Sequence, residues 1–396
     1  MIARRHIVGL GLSQVVCWGV SFYAIGVLGD AIGAELGWSK TTVHGAFSSA
    51  LLAMGLVSPL IGRSVDAYGG RVVLSIGSVL LAVGCLWLST VETLVSYYAA
   101  WIFLGIAMRC CLYDAAFAAL ARIAGPEARR PISQITLLGG LSATCFWPIG
   151  QFLSEWVGWR GTFVVYAGFA LLTLAVHLPL PSARYEREKT EKMSEALPGL
   201  VQDRNVTLRA YCFVLIVGLG NAMHAGMSAH LISILGQIGL GTGLAVAVSS
   251  VRGVGQSTGR LLEVASGSRL HPIDLNFVAA AILPIAFAIG LASGVSLVAA
   301  FSFSFFYGVG TGLLTITRGT LPLVLFENRS YGAYVGRLLV PSFLASAAAP
   351  FLFAWVIDRF GAFAALYVCL LLLTLVLVAS LALKSLQLPP SEGQRN

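Results

Sequence analysis

The chain has 396 residues, 57% of them hydrophobic and only 11% charged, where a soluble domain carries roughly a quarter charged residues. Apolar runs of about 20 residues, the length of one bilayer crossing, recur throughout. This excludes a soluble globular protein, and also a β-barrel, whose strands are short and alternate apolar with polar. The formal charge of +8 does not point to nucleic acid. Three basic residues (Lys40, Arg160, Arg359) fall on one side of the expected spans and three (Arg109, Arg252, Arg318) within them. The rest of the 25 lie on the opposite side, the bias that marks a cytoplasmic face.

The first apolar run follows Arg4-Arg5-His6. It is too long for a signal-peptide core and lacks a clear small-residue cleavage site, so it reads as an uncleaved first span. Spans are expected at 7–29, 42–62, 71–90, 93–122, 132–154, 161–180, 209–235, 243–262, 273–293, 295–325, 334–356 and 362–384. The expected fold is an all-α polytopic membrane protein of twelve transmembrane helices in the cell (inner) membrane, with both termini cytoplasmic. Residues 181–208 alternate in sign from Arg184 to Glu195 and read as a solvated cytoplasmic linker. They divide an N-terminal six-helix bundle (1–180) from a C-terminal one (209–396). The halves repeat weakly but in order: Gly11-Leu12-Ser13-Gln14 with Gly218-Leu219-Gly220-Asn221, Gly62–Arg71 with Gly259–Arg269, and Pro148 and Gly158 with Pro350 and Gly361.

The seven cysteines all lie in apolar runs and none forms C-x-x-C, so they read as small buried hydrophobes. No H-E-x-x-H and no G-x-x-x-x-G-K-[ST] occurs. Neither a metal, a cofactor nor an enzymatic constellation is expected, and ATP-driven transport is disfavoured.

Between the second and third spans stands Gly62-Arg63-Ser64-Val65-Asp66-Ala67-Tyr68-Gly69-Gly70-Arg71. Its spacing G-x-x-x-D-x-x-G-x-R closely resembles the loop between helices 2 and 3 of the major facilitator superfamily of secondary transporters. Gly125-Pro126-Glu127-Ala128-Arg129-Arg130 is similar to that superfamily's P-E-x-R loop between helices 4 and 5. The resemblance implies two pseudo-symmetric six-helix bundles, alternating access, and a central cavity lined by helices 1, 4, 7 and 10. It also implies a gating role for Gly62, Asp66, Gly69 and Arg71, with Asp66 accepting hydrogen bonds that latch one conformation. Ala67 stands where the family usually has a basic residue.

Ionisable groups within spans are expensive and default to function. Arg109 and Asp114 lie five residues apart, turned by about 140° on a continuous helix, so each is expected to seek other partners. Tyr307, Thr311, Thr315 and Arg318 form one stripe. By the repeat, Arg318 falls near the counterpart of Asp114, which leaves an inter-half pair or an anion site open. Arg252 and Gln256 are one turn apart in the eighth span. An arginine there is similar to the substrate-binding one of the monocarboxylate and oxalate/formate branch. Gln14 and Asn221 are expected to face each other across the cavity, and His224 or Asp114 to carry a proton. Arg252, Arg318, Arg109, Gln14, Asn221, Gln256 and Tyr307 are the expected solute contacts.

The net positive bias of the spans points to a small organic anion, with a monocarboxylate as one candidate, moved with or against protons by a monomer. The alternative is a proton-driven exporter of drugs or natural products, with Trp18, Phe117, Trp147 and Phe306 in a forgiving cavity. Tyr23 in the first span reads as packing, and a scaffold that docks partners through the linker is a third class.

Overall fold

The computed structural model describes residues 3–182, 204–265, 270–325 and 331–386. All regular structure among them is helical. The crossings are α1 (Arg4–Leu36), α2 (Lys40–Leu56 with Ser58–Tyr68), α3 (Gly70–Ser89), α4 (Leu94–Ala124), α5 (129–157) and α6 (159–177), then α7 (Arg204–Ile238), α8 (Thr242–Ala265), α9 (Pro272–Gly290), α10 (Leu297–Leu325), α11 (Tyr331–Phe360) and α12 (Ala362–Ser385). Length and apolar composition pick out nine membrane-crossing helices among the described residues, or ten when the two pieces of α2, bent by 49°, count as one. The 48-residue stretch Arg130–His177 holds two crossings, because Gly158 (φ 71°) turns the chain back. The crossing that composition leaves out is α8, which carries Arg252, Arg260 and Glu263.

Among the described residues six turns between consecutive crossings hold a glycine with positive φ: Gly37 (68°) after α1, Gly69 (87°) after α2, Gly125 (54°) after α4, Gly158 (71°) after α5, Gly239 (119°) after α7 and Gly361 (82°) after α11. Only glycine holds this conformation cheaply. Gly158 and Gly361 are also the pair matched by the internal repeat. The turn after α2 is tighter than expected. Gly62–Tyr68 is helical and only Gly69 breaks the chain, so the charged motif is mostly the last turns of α2. Likewise α7 begins at Arg204 rather than 209. Most of the expected linker, and the second copy of the motif at Gly267–Arg269, lie outside the described residues.

With twelve crossings both termini lie at one end, here the terminal end, and the Gly158 and Gly361 turns lie at the far end. At the far end the halves are stitched together. Lys40 Nζ on α2 bridges Asp30 Oδ1 on α1 (2.5 Å) and Ser233 Oγ on α7. Thr41 donates its backbone N–H and its hydroxyl to Asp358 Oδ2 of α11 (3.1 and 2.7 Å). Asp358 thus supplies, from the other half, the anion that the N-terminus of α2 favours. Towards the terminal end, Asp114 on α4 and Thr315 on α10 are exposed. An ionisable side chain exposed at span depth faces water and not lipid, so Asp114 marks water access on the terminal-end side of the stitched far end.

Inside the C-terminal half, α8 and α10 approach through glycines. A Cβ on Gly308 would strike the Arg252 carbonyl oxygen, and one on Gly255 the Phe305 carbonyl oxygen. Such small-residue faces let helices pack backbone to backbone in lipid. Gly308→Leu should therefore pry α8 from α10 and lower the melting temperature of the detergent-purified protein by several degrees or abolish its monodisperse peak. Gly168→Leu, at a position with no heavy atom within 4 Å of the added Cβ, should leave both unchanged.

Candidate functional site

The glycine seam sets Arg252 of α8 beside Tyr307 of α10, at the level where the two halves meet. Arg252 is completely buried. Its Nη1 donates to Ser228 Oγ of α7 (3.0 Å) and Tyr307 OH (3.4 Å), and its Nη2 to Tyr23 OH of α1 (3.1 Å). The guanidinium also lies over the rings of Tyr23, Trp147 and Tyr307, at 5.3, 5.2 and 5.3 Å. Its Nε has no partner. The ion pairs found among the described residues are Lys40–Asp30, Arg109–Asp114, Arg160–Glu35 and Lys384–Asp274, and none includes Arg252. The aromatic faces and hydroxyls soften the cost of burying this charge, but no carboxylate neutralises it.

Tyr23 reaches Arg252 because α1 is broken. Ser21 leaves helical geometry (φ −122°, ψ −81°), and Tyr23 N–H bonds back five residues to Trp18 O at 3.0 Å. The Tyr23 carbonyl accepts from Trp147 Nε1 (3.2 Å), which also orients the indole against the guanidinium.

A second break, at Leu112 in α4 (φ −79°, ψ −174°), re-aims the chain between Arg109 and Asp114. These two form a direct ion pair, contrary to the expectation drawn from a continuous helix, because the 140° offset disappears at the break. The Asp114 side chain remains 48% exposed. The break frees the Cys111 carbonyl, and Gln14 Nε2 donates to it at 2.9 Å. Gln14 is therefore fully buried inside the N-terminal half and does not face Asn221 across a cavity. It repairs α4.

Arg318 lies within electrostatic reach of both Asp114 and Arg109 and sits over the Phe343 ring at 5.8 Å, so opposite charges from α4 and α10 do gather. No ion pair joins Arg318 to Asp114. His224 stacks on Phe22 at 6.2 Å and senses Arg252, Arg260 and Arg318. Asn221 is half-buried, Gln256 is buried one turn from Arg252, and Thr311 and Thr315 spend their hydroxyls on carbonyls of α10. Trp18, Tyr113 and Phe117 form an aromatic row beside Asp114 (5.1 and 5.3 Å between successive rings).

In the charged turn, Arg122 of α4 donates through Nε to the Asp66 backbone oxygen (3.3 Å). The Asp66 side chain and Arg71 are exposed, and no side-chain contact explains Gly62. The helix 4–5 segment forms a single 3-10 turn, Gly125–Ala128. Ser228 was not foreseen, since a lone serine one turn beyond His224 carries no one-dimensional signal. Tyr23 and Trp147 were visible only as aromatic residues in apolar runs.

Residues 10–340 match the family model described as Major Facilitator Superfamily. Multidrug resistance protein MdtL of Escherichia coli O45:K1 is 29% identical over 189 residues, which is 45% of this chain and 46% of that protein. MdtL of Shewanella oneidensis is 26% identical over 205 residues, half of each chain. The chain spans about half the length of these curated relatives. Among solved structures, the nucleoside transporter NupG superposes with a TM-score of 0.73 at 14% identity, over 96% of this chain and 98% of that one. A bacterial homolog of the human lysosomal transporter Spinster, inward-facing and occupied, superposes with a TM-score of 0.71 at 13% identity, over 97% and 98%.

Gln14→Leu should leave the Cys111 carbonyl without a donor at a buried break, costing roughly 1–3 kcal/mol. A lower melting temperature together with slackened protection of α4 amides in hydrogen exchange is the expected result, and an unchanged melt would refute the repair role.

Proposed function

The chain belongs to the major facilitator superfamily, and we propose that it is a secondary active transporter that moves a small organic anion across the cell membrane by alternating access. Arg252 is the proposed anchor for the solute's negative charge. The observation that carries this reading is the Arg252 guanidinium, fully buried between the halves with three neutral hydroxyl partners, an unpartnered Nε and no carboxylate.

Tyr23 and Trp147 come from one half, and Ser228 and Tyr307 from the other. When the halves rock apart at the far end, Arg252 stays with Ser228 and Tyr307 and loses the Tyr23 hydroxyl and two aromatic faces. A carboxylate can replace them, taking the planar fork bidentately. A monocarboxylate is the simplest solute of this class. Arg318 offers a second cation nearer the open mouth, and Gln256, Asn221 and Tyr307 supply neutral polar contacts. Asp114, exposed to water and held by Arg109, or His224 takes the coupling proton. A proton on Asp114 would release Arg109 and leave Arg109 and Arg318 both free for an anion.

The basic terminal end is the cytoplasmic one by the charge bias, so the state described opens to the cytoplasm. The exposed carboxylate of Asp66, beside Gly69 and Arg71, is free to latch the terminal end when it closes. In this reading residues 1–180 and 209–396 rock about α5 and α8 as a monomer, with 181–208 as a cytoplasmic linker. Neither cofactor nor metal takes part.

A second reading is a proton-driven exporter of lipophilic drugs. It is favoured by the names of the curated relatives and by the aromatic row Trp18, Tyr113 and Phe117 leading to Asp114.

One thermal-shift screen of the purified protein separates the two. Monocarboxylates at about 100 times their Kd should stabilise the wild type by roughly 2.7 kcal/mol. Arg252→Gln should cancel the shift, and lipophilic cations should give none. Stabilisation by lipophilic cations that survives Arg252→Gln would overturn the anion reading in favour of export.

A further inference from the structure

His44 of α2 and His230 of α7 meet at the far end, across the seam between the halves. Their ring centroids are 3.9 Å apart at an interplanar angle of 46°, and both residues are buried. His230 Nε2 lies 2.8 Å from the Pro350 carbonyl of α11. A carbonyl only accepts, so this nitrogen carries the hydrogen, and Nδ1 of the neutral ring is a bare lone pair. That Nδ1 and the Nδ1 of His44 both lack a partner. Two titratable rings therefore face each other, one from each half, with unspent nitrogens sealed from water.

The groups around them decide what a proton would do. On α2 itself, Lys40 sits one turn away and acts on both rings. From α1 comes Asp30, engaged by Lys40 at 2.5 Å. From α11 comes Asp358, engaged by Thr41. From α4 come Tyr97 and Tyr98, whose hydroxyls donate to the carbonyls of Val43 and Thr42 at 3.3 and 3.1 Å. Among the described residues no carboxylate is within hydrogen-bonding distance of either imidazole. A charge arriving on the pair would be stranded in the closed seam, whereas an open far end would hydrate it.

We propose that His44 and His230 form a proton-binding latch, closed when both rings are neutral and opened at the far end by their protonation. The sign follows from linkage. If the open state binds the proton more tightly, acid must favour the open state. The latch rests on the alternating-access reading but not on the anion anchor. Arg252 and the thermal-shift screen can fail while the latch stands. The latch also differs from the carrier groups Asp114 and His224, which lie elsewhere along the path.

The test is hydrogen exchange, read by mass spectrometry on the full chain in lipid nanodiscs at about pH 7.5 and about pH 5.5, spanning the usual imidazole range. Rates are corrected for the intrinsic effect of pH on amide exchange. Peptides covering 40–48 and 228–235 should exchange about threefold faster at the acidic pH, as local opening there becomes more populated. That increase should vanish in His44→Gln and in His230→Gln and persist in Asp114→Asn. No increase in the wild type overturns the latch. So does an increase that survives either glutamine variant, or one that Asp114→Asn removes. Either glutamine variant suffices if the other does not purify as a monodisperse peak, because losing one ring already removes the pair.

Discussion

An uncompensated guanidinium at the meeting plane of two helical bundles is the constraint around which this protein is built. A buried charge without a counter-ion is costly, and α8 carries Arg252 through the membrane with none. Several features make that tolerable together. Glycines pull α8 onto α10 until the Tyr307 hydroxyl comes within reach. The break in α1 releases Tyr23, from the other half, to accept from Arg252 Nη2 through its hydroxyl. Trp147 is fixed by the carbonyl that the same break exposes. Removing any one leaves the charge with less than it needs, so the packing of three helices answers to one side chain.

Breaks in helices are themselves a liability in lipid, because each frees backbone groups that hydrocarbon cannot satisfy. In this chain side chains answer them. Gln14 takes the Cys111 carbonyl at the α4 break. At the Gly140–Leu141 turn within α5, Leu141 N–H bonds to the Leu138 carbonyl, so Ser257 of α8 donates to the Leu137 carbonyl left over, and Arg260 of α8 adds a second donor to the Thr136 carbonyl that Gly140 N–H already holds. The last two cross between the halves, and Thr144 adds a third such bond to the Ser250 carbonyl at 2.7 Å. The α5–α8 contact is thus held along its length by side chain to backbone bonds. Bonds of that kind tolerate small rotations better than interlocked apolar side chains. That suits the axis about which we propose that the halves rock.

Much of the architecture was legible in one dimension, for a physical reason: bilayer thickness dictates span length, and apolar runs report it directly. The hairpin glycines were legible too, since positive φ narrows the choice of residue. The breaks in α1 and α4 were not. Ser21, Phe22 and Leu112 are neither glycine nor proline, and only tertiary contacts hold them out of helical geometry. Everything that depended on those breaks was therefore misplaced, including the Arg109–Asp114 pair and the position of Gln14. Arg252 stood out as a charge in a span. Its cage did not, because Tyr23, Trp147, Ser228 and Tyr307 come from four helices that no local pattern links.

The distribution of charge along the path carries its own argument about the solute. Arg252, Arg260 and Arg318 face hydroxyls, carbonyls and aromatic rings, while Arg109 holds the exposed carboxylate of Asp114. Hydroxyls and carbonyls stabilise a cation without cancelling its field, so the interior potential stays positive. A cationic solute entering from the terminal end would meet that potential with one carboxylate to offset it, already engaged. An anion entering the same way would be drawn inward, first past Arg318 and then towards Arg252. It would also relieve part of the cost that the empty path bears. The arrangement that makes the folded state expensive is therefore the one that supports the proposed anion capture.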